Sequence, residues 1–413
     1  MLTARNLCFF LGALVVVVVF YSSTSLPSST AVPAAKQPYT FPSTPAQDEQ
    51  KQQTGGQLPE DFGLPTDTGT PYSANPLPVA GDAPPEVPAA EPAAPIQSHG
   101  EFNEMKFSFQ DDLKFANPDW DVHHLKKYKP HNYEGAGRPT IATYLSTRNG
   151  TLHDPYFQAA QQLVYRVLWD PRSRSKKYPL TVFVAPFIEQ EKRDILTAAG
   201  AIVKELELVD WQPTVDIWGR WKDLFSKLNI WGETEFSRVL FLDLDAFPVQ
   251  NIDDIFDLAE RQKCRKELLP VEDEARVGEL CDYVFAGTEI SDSKEINVGV
   301  MVLEPNKAMQ QRLLREAKHT ENFDNGMAEQ AFLNYVFGQN SAFPTQLLDR
   351  EWNGFFPQEE EEGYLKIIHE KLWSMNDHWA QNYFSDTWRE MLLMYEGKEF
   401  LSRRRWDGER EFE

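Results

Sequence analysis

The sequence is poor in basic residues and in cysteine. Its 413 residues contain 41 Lys plus Arg against 63 Asp plus Glu, which gives a formal net charge of −22. Nucleic-acid binding needs a basic face that neutralises phosphates, and no long basic run is present, so we exclude nucleic acid as a partner. Three cysteines are too few for a disulfide-stapled miniprotein or an all-cysteine metal cluster. The chain is therefore a large acidic protein that can bury an ordinary core.

Charge is also missing from one stretch near the N-terminus. Residues 7–21 read LCFFLGALVVVVVFY, and only Arg5 precedes them. Extended to Leu26, this stretch is about 30 Å long as a helix, enough to cross a bilayer. We predict a transmembrane signal-anchor over residues 1–26 with a short cytoplasmic tip; a cleaved signal peptide is the alternative. The anchor predicts a single-pass type II protein of the Golgi membrane, with the endoplasmic reticulum also possible, whose C-terminal domain is lumenal.

A periodic apolar pattern is missing from the segment that follows. Residues 22–100 contain 15 of the 28 prolines, among Ser, Thr, Ala, Gln and Gly. Such a segment cannot bury enough surface to offset its conformational entropy, so we expect it to be disordered. We assign residues 27–134 to a Pro-rich stem and residues 135–413 to the globular, catalytic domain.

The globular part alternates between strand and helix patterns. Apolar strand candidates lie at residues 140–146, 180–185, 201–209 and 238–245, and helical patterns separate them. This alternation predicts an α/β fold with a mostly parallel sheet and helices on both faces. Ligands bind such sheets at the carboxyl ends of the strands.

Two aspartates, Asp243 and Asp245, end the candidate strand at 238–245. On an extended strand, residues i and i+2 point to the same side, so both carboxylates can converge. Converging carboxylates repel each other unless a cation or a shared proton compensates, and a hard divalent cation bridging a diphosphate would do so. The alternative is a strand that simply emerges into solvent. The apolar residues before the pair favour the binding edge of the sheet.

Four segments in order resemble glycosyltransferase family 8, the glycogenin-like enzymes. RVLFLDLDAFPVQNIDDIF (238–256) resembles the D-x-D region of that family. The family's F-x-K-L helix, F-N-S-G-V-M strand and D-Q-x-x-L-N helix are similar to DLFSKLNIW (223–231), INVGVMVLEPN (296–306) and EQAFLNYVF (329–337). The resemblance implies a Rossmann-like, A-type glycosyltransferase fold. It also implies retaining transfer from a nucleotide sugar, usually UDP-linked, with Mn²⁺ or Mg²⁺.

The resemblance further implies a metal site made of Asp243, Asp245 and His369. His369 would take the place of the histidine in the family's H-x-x-G-x-x-K-P-W segment. Here Glu370 and Lys371 follow that histidine without the family's glycine, which leaves open whether Lys371 reaches the diphosphate. From the residues alone, a lone histidine at the end of an apolar run, as His369 is, is more often a core side chain than a metal ligand.

The resemblance also implies donor-binding and catalytic residues. Contacts to the donor would come from Lys227, Asp243, Asn297 and Thr143, and the catalytic residues would be Gln330 and Glu329. Gln330 would lie on the face of the sugar opposite the leaving group, and we expect a front-face displacement rather than covalent attack by this amide. Each has a plainer interpretation, such as a helical lysine running along apolar surface for Lys227 or turn chemistry for Asn297.

The predicted function is Mn²⁺-dependent transfer of a sugar from a UDP-sugar to a glycan or glycoprotein acceptor in the secretory pathway. One alternative is a catalytically degenerate lumenal binding or scaffold protein of the same fold. Another is a haloacid-dehalogenase-like phosphatase, which uses D-x-D-x-[TV], but Phe247 stands at the Thr or Val position. The sugar stays open among N-acetylglucosamine, glucose, galactose and glucuronic acid.

Two cysteines, Cys264 and Cys281, lie outside the predicted anchor. In an oxidising lumen such a pair can close a disulfide. Two unrelated buried thiols are the equal alternative.

Overall fold

The computed structural model describes residues 120–409, apart from residues 216, 218, 291–293 and 374–377. The predicted signal-anchor (1–26) and the stem up to residue 119 lie outside these residues. Within the described part of the chain, no helix is both long enough and apolar enough to span a membrane.

Twelve strands lie in the described residues. They are β1 (Thr140–Leu145), β2 (Leu180–Val184), β3 (Ile202–Glu205), β4 (Val239–Leu242), β5 (Ala246–Pro248), β6 (Gln262–Lys263), β7 (Asp282–Tyr283), β8 (Phe285–Glu289), β9 (Ile296–Leu303), β10 (Gln346–Leu348), β11 (Gly354–Phe355) and β12 (Ile367–His369). Seven of them form the central sheet, in the order β10-β8-β9-β4-β1-β2-β3.

The central sheet is mostly parallel, as predicted. β4, β1, β2 and β3 run parallel to one another, and β10 runs parallel to β8. Only β9 is antiparallel, to both β4 and β8. β1, β4 and β9 are buried along their whole length. Their side chains are therefore covered on both faces of the sheet, which explains their unbroken apolar sequences.

The edge strand β3 is shorter than the sequence predicts. The apolar pattern suggested a strand over residues 201–209, whereas the strand covers Ile202–Glu205. β3 pairs only with β2, and the ladder ends where β2 ends, at the pair Val184–Glu205. The length of an edge strand is therefore set by its one partner and not by its own sequence pattern.

A topological switch point lies between β1 and β4. β2 and β3 follow β1 on one side, and β4 returns to pair with its other side. Because the connections leave β1 in opposite directions, a crevice opens outside the carboxyl ends of β1 and β4. Asp243 directly follows β4, so the aspartate pair stands at this crevice.

A second sheet has three strands in the order β11-β12-β5. β5 begins at Ala246, directly after Asp245, and β12 pairs with it in antiparallel register. In this register His369 stands opposite Ala246. A strand more than a hundred residues later in the chain thus places His369 next to the aspartate pair.

Eleven α-helices are described. They are α1 (Val122–Leu125), α2 (Pro155–Leu168), α3 (Gln190–Ala198), α4 (Gly219–Leu224), α5 (Ile255–Leu258), α6 (Val271–Glu274), α7 (Val277–Leu280), α8 (Lys307–Glu316), α9 (Ala328–Phe337), α10 (Gln381–Tyr395) and α11 (Lys398–Glu409). Short 3₁₀ segments include Phe225–Gly232, directly after α4, and Asn325–Met327, directly before α9. Gly200 stands two residues after α3 with a φ of 104°, a left-handed conformation that favours glycine at the end of a helix.

The folded domain begins earlier than the predicted boundary at residue 135. The ring of Trp120 stacks on Tyr395 with centroids 4.8 Å apart. Leu125 is buried, and its carbonyl accepts a hydrogen bond from Nη2 of Arg404. Residues 120–134, which the sequence assigns to the stem, are thus packed on the C-terminal helices.

A disulfide joins Cys264 and Cys281, whose Cα atoms are 4.6 Å apart. The two cysteines flank the short ladder between β6 and β7. The structure thereby decides between the two alternatives that the sequence left open.

Candidate active site

Asp243 and Asp245 are brought together by a turn rather than by an extended strand. β4 ends at Leu242, and the backbone N–H of Ala246 donates to the carbonyl of Asp243 over 2.9 Å, closing a turn. The N–H of Asp243 is itself bound to the carbonyl of Gly299 over 2.7 Å. The predicted convergence of the carboxylates is present, but it comes from this turn and not from the alternation of side chains along an extended strand.

His369 completes a group of three possible metal ligands. One ligand atom from each of Asp243, Asp245 and His369 lies within 4.8 Å of the others. Nε2 of His369 is 3.3 Å from Oδ1 of Asp245. The structure thus brings together the three residues that the sequence predicts to hold a metal.

Gly299 leaves open the space in which these three side chains meet. A Cβ atom added to Gly299 would lie 2.2 Å from Cε1 of His369 and 2.8 Å from Oδ2 of Asp243. Real Cβ atoms do not approach other heavy atoms so closely, so even alanine would displace the ligands. The glycine of the INVGV segment therefore keeps a small cavity between imidazole and carboxylate.

The charges around this cavity leave an excess of negative charge. The carboxylates of Asp243, Asp245, Glu329 and Glu370 line the cleft. The ammonium groups that pair with them belong to Lys227 and to Lys371, whose Nζ is 3.0 Å from Oδ2 of Asp245. Four carboxylates facing two ammonium groups suit an additional divalent cation, and a set of carboxylate and imidazole ligands suits Mn²⁺ or Mg²⁺.

The pKa of Asp245 is held well below its usual value. Burial alone would raise this pKa. The ammonium of Lys371 and the hydrogen bond and charge of His369 lower it, and together they outweigh the effect of burial. Asp245 is therefore ionised at neutral pH and available as a ligand.

Lys227 is buried and not a solvated helical lysine. Its side chain is 1% exposed, and its Nζ lies 2.8 Å from Oδ1 of Asp243 and 2.8 Å from Oε1 of Glu329. Burial would lower the pKa of Lys227, but these two carboxylates raise it above its usual value. The lysine is thus a fixed positive charge between the aspartate pair and the start of α9.

Asn297 and Gln330 meet each other in the cleft. Nδ2 of Asn297 donates to Oε1 of Gln330 over 3.3 Å, and both residues line the cleft. Gln330 stands on α9 directly after Glu329, so one helix start supplies the two predicted catalytic residues. The backbone there is strained, because Ala328 has φ 49° and ψ −134°.

The cleft has a volume of about 320 Å³. Tyr144, Ser146 and Thr147 line it from the carboxyl end of β1. Thr143, which the resemblance suggested as a donor contact, is 0% exposed inside β1 and is not among the lining residues. The residues that follow the strand reach the crevice, whereas Thr143 stays within the sheet.

Aromatic and apolar side chains form the outer part of the cleft. Phe356 and Met327 line it and are about half exposed. Phe356 also has a φ of 49°, which is strained for a side-chain-bearing residue. Its ring centroid is 4.2 Å from that of Phe355. These rings offer an apolar surface of the kind on which a sugar ring can pack.

Sequence reasoning missed Asn353, which contacts two predicted site residues. It is buried, its Oδ1 lies 2.9 Å from Nδ1 of His369, and its Nδ2 lies 3.1 Å from Oδ1 of Asn297. No local pattern marks a single asparagine before β11. Ser146 and Thr147 were also missed, although their place after the first strand was a usable signal.

Comparison with known proteins identifies the class of protein that this fold and cleft define. Residues 163–373, about half of the chain, match the family model described as glycosyl transferase family 8. The protein is a glycosyltransferase. It belongs to glycosyl transferase family 8, as its four motifs predict.

Curated relatives match over part of their length. An uncharacterized protein of Schizosaccharomyces pombe is 26% identical over 306 residues, which cover 64% of this chain and 80% of that protein. Galactinol synthase 1 of Solanum lycopersicum is 36% identical over 168 residues, which cover 39% of this chain and 51% of the synthase. Among solved structures, apo mouse xyloside xylosyltransferase 1 matches with a TM-score of 0.36 and 16% identity, covering 56% of this chain and 97% of that one.

Proposed function

We propose that this protein is a retaining transferase of the A-type fold that moves a sugar from a UDP-sugar to a glycan or glycoconjugate acceptor. The proposed metal is Mn²⁺ or Mg²⁺, held by Asp243, Asp245 and His369. The observation that carries the proposal is the meeting of these three side chains above Gly299, in the same cleft as Glu329 and Gln330. A scaffold protein would have no need to keep that constellation intact.

A divalent cation at this site would act as a Lewis acid that neutralises the departing diphosphate. The protein's own residues prepare that chemistry. Lys371 adds a positive charge beside Asp245 at the cleft. A diphosphate oxygen of the donor can take the place of the Asp245 carboxylate as the partner of this ammonium. Lys227 holds Asp243 and Glu329 in place from below the site, so it supports the ligands rather than contacting the donor directly.

Retention of configuration requires the acceptor to approach on the face that the leaving group vacates. Gln330 is a neutral amide and a weak nucleophile, and its Oε1 is turned to Asn297. Glu329 carries a charge, but that charge is paired with the buried ammonium of Lys227. Neither residue is placed as a free nucleophile, which supports a front-face displacement over a covalent intermediate.

The compartment and the acceptor belong to the same proposal. The disulfide between Cys264 and Cys281 supports an oxidising compartment, in line with a Golgi or endoplasmic reticulum lumen and the predicted signal-anchor. The exposed ring of Phe356 supports a carbohydrate acceptor. Because several relatives are galactinol synthases, UDP-galactose belongs among the first donors to test.

The test is a panel of nucleotide sugars. The full chain is incubated with UDP-glucose, UDP-galactose, UDP-N-acetylglucosamine and UDP-glucuronic acid, and UDP release is measured with Mn²⁺ and with EDTA. We expect one donor to be hydrolysed with Mn²⁺ only. Asp245→Ala should abolish that hydrolysis, whereas Asp254→Ala, an exposed aspartate of the same segment, should leave it unchanged.

Two results would contradict the proposal. Hydrolysis that persists in EDTA would show that the reaction needs no metal. Undiminished hydrolysis by Asp245→Ala would show that this aspartate is not a ligand of a required metal. Metal-dependent UDP binding by a chain that turns over none of the four donors would favour the degenerate binding protein instead.

A further inference from the structure

A chain of buried amides runs between the metal-site histidine and Gln330. It begins at the backbone N–H of Gly299, which lies 2.9 Å from Oδ1 of Asn297. A backbone N–H can only donate, so the Asn297 atom that it meets is the amide oxygen. The orientation of the Asn297 side chain is thereby fixed by the backbone of β9.

That orientation fixes the amide of Asn353. The Asn353 atom 3.1 Å from Oδ1 of Asn297 must be a donor, hence Nδ2. The same nitrogen lies 3.5 Å from the backbone carbonyl of Asn297, which also only accepts. The other branch of the Asn353 amide is then its oxygen, and this oxygen lies 2.9 Å from Nδ1 of His369.

The Asn353 oxygen in turn decides the tautomer of His369. An amide oxygen only accepts, so Nδ1 of His369 carries the proton. Nε2, which lies 3.3 Å from Oδ1 of Asp245, is then the ring nitrogen that can present a lone pair to a metal. A metal-ligating histidine needs a second hydrogen bond of this kind to orient its ring and set its tautomer.

We propose that Asn353 is a positioning residue that fixes the Nδ1–H tautomer of His369 and so makes Nε2 the metal ligand. The inference rests on the metal site of the proposed function. Asn353 is suited to this task because it is 1% exposed, so no water competes for its amide. Its backbone is held by β11, whose Gly354 pairs with Ile368 beside His369.

The same chain of buried amides also fixes the orientation of the Gln330 side chain. Since Oδ1 of Asn297 faces Gly299 and Asn353, its Nδ2 faces Gln330, and Oε1 of Gln330 accepts from it over 3.3 Å. The side-chain oxygen of Gln330 thus accepts a hydrogen bond within the protein. Its amide nitrogen is the atom that would contact a donor sugar. Asn353 thereby couples the orientation of the metal ligand to that of a catalytic amide.

The proton on Nδ1 can be read in the metal-free full chain. Long-range ¹H–¹⁵N spectra of protein labelled with ¹⁵N-histidine report the protonation of each ring nitrogen, and His369→Gln assigns the signal. We expect Nδ1 of His369 to carry a proton in the wild-type protein and in Asn353→Asp, whose carboxylate still accepts from Nδ1. Asn353→Leu, which offers no acceptor, should lose it.

Mn²⁺ binding gives the second readout, by titration with the free ion followed by electron paramagnetic resonance. Asn353→Leu should bind Mn²⁺ about 10–100-fold more weakly than wild type, and Asn353→Asp, which keeps the acceptor for Nδ1, should bind Mn²⁺ more tightly than Asn353→Leu. The control is Asn306→Leu, which removes the N-cap of α8 beyond the other end of β9. This variant should be destabilised to a comparable degree but bind Mn²⁺ with unchanged affinity.

The outcomes separate this inference from the proposed function. If wild type binds Mn²⁺ and a folded Asn353→Leu binds it equally, only the role of Asn353 is overturned. If wild type binds no Mn²⁺, the metal site and the inference both fail. Should Asn353→Leu not fold, the test rests on Asn353→Asp. Loss of the Nδ1–H signal in that variant would overturn the role of Asn353, and retention of the signal would support it.

Discussion

The ammonium nitrogen of Lys227 lies 2.8 Å from Oδ1 of Asp243, in a side chain that is 1% exposed. The same nitrogen contacts Glu329 over an equal distance. One buried cation thus ties the carboxyl end of β4 to the first turn of α9. The pair explains how an acidic cleft can be held together before any metal or donor binds.

Replacing Lys227 with methionine should destabilise the fold. The neutral side chain keeps most of the volume but leaves the largely buried Glu329 without a partner, and breaking a buried ion pair in this way costs about 3–5 kcal/mol. Urea denaturation of both proteins in EDTA measures the loss. Lys227→Arg keeps the charge and should lose less. Equal stability of wild type and Lys227→Met would show that the buried pair is not stabilising.

Shortening Glu329 to aspartate should impair catalysis, although family 8 usually has aspartate there. The carboxylate would retreat by roughly 1.5 Å, one carbon–carbon bond, from the nitrogen of Lys227. A misplacement of this size can lower the rate about 100-fold. Glu329→Gln keeps the reach and loses only the charge, so we expect it to retain more activity. The kcat/KM for donor hydrolysis compares the two, and a fully active Glu329→Asp would contradict the argument.

The sequence predicted the parts of the site that lie at the ends of regular elements. Asp243 and Asp245 follow an unbroken apolar strand, and Gln330 stands at a helix start. Local patterns of this kind are visible because burial and periodicity repeat along the chain. The family resemblance then supplied the partner, His369, from a distant segment.

The remaining parts depend on contacts that no local pattern encodes. Asn353 meets His369 only because β11 and β12 pair in one register. Lys227 was open to a solvated interpretation, but it lies in a 3₁₀ segment, where side chains repeat every three residues and the α-helical faces no longer apply. The turn at Asp243–Asp245 likewise follows from the pairing of β5 with β12 and not from the D-x-D pattern.

Reduction of the disulfide between Cys264 and Cys281 should destabilise the protein by about 3 kcal/mol, because the bond closes a loop of moderate length in the unfolded chain. Urea denaturation with and without a reductant measures the change. Thiol titration of the unfolded full chain provides the control. With three cysteines in the sequence, we expect one free thiol before reduction, that of Cys8, and three afterwards. Three thiols before reduction would refute the pairing.

Asp245 should make the fold sensitive to acid. Because its pKa is lowered in the folded protein, the stability that it contributes is present above the unfolded pKa, about 3.9, and is lost as the pH falls through the folded value. The difference in unfolding free energy between wild type and Asp245→Asn should therefore shrink below about pH 4. Denaturation in EDTA at a series of pH values measures this difference. A difference that stays constant with pH would contradict the lowered pKa.

Replacing Gly299 with alanine should weaken metal binding with little change in the rest of the fold. The new Cβ would lie 2.2 Å from Cε1 of His369 and 2.8 Å from Oδ2 of Asp243, so the ligands must move apart. We expect Mn²⁺ affinity to fall by at least about 10-fold, the range seen when ligand orientation is disturbed. The matched control is Gly278→Ala in α7, where a Cβ meets nothing within 4 Å. That substitution should leave Mn²⁺ affinity unchanged and raise stability by about 0.5–1 kcal/mol, because alanine is the better helix former. Unchanged Mn²⁺ binding by Gly299→Ala would mean that the cation is held elsewhere than between Asp243 and His369.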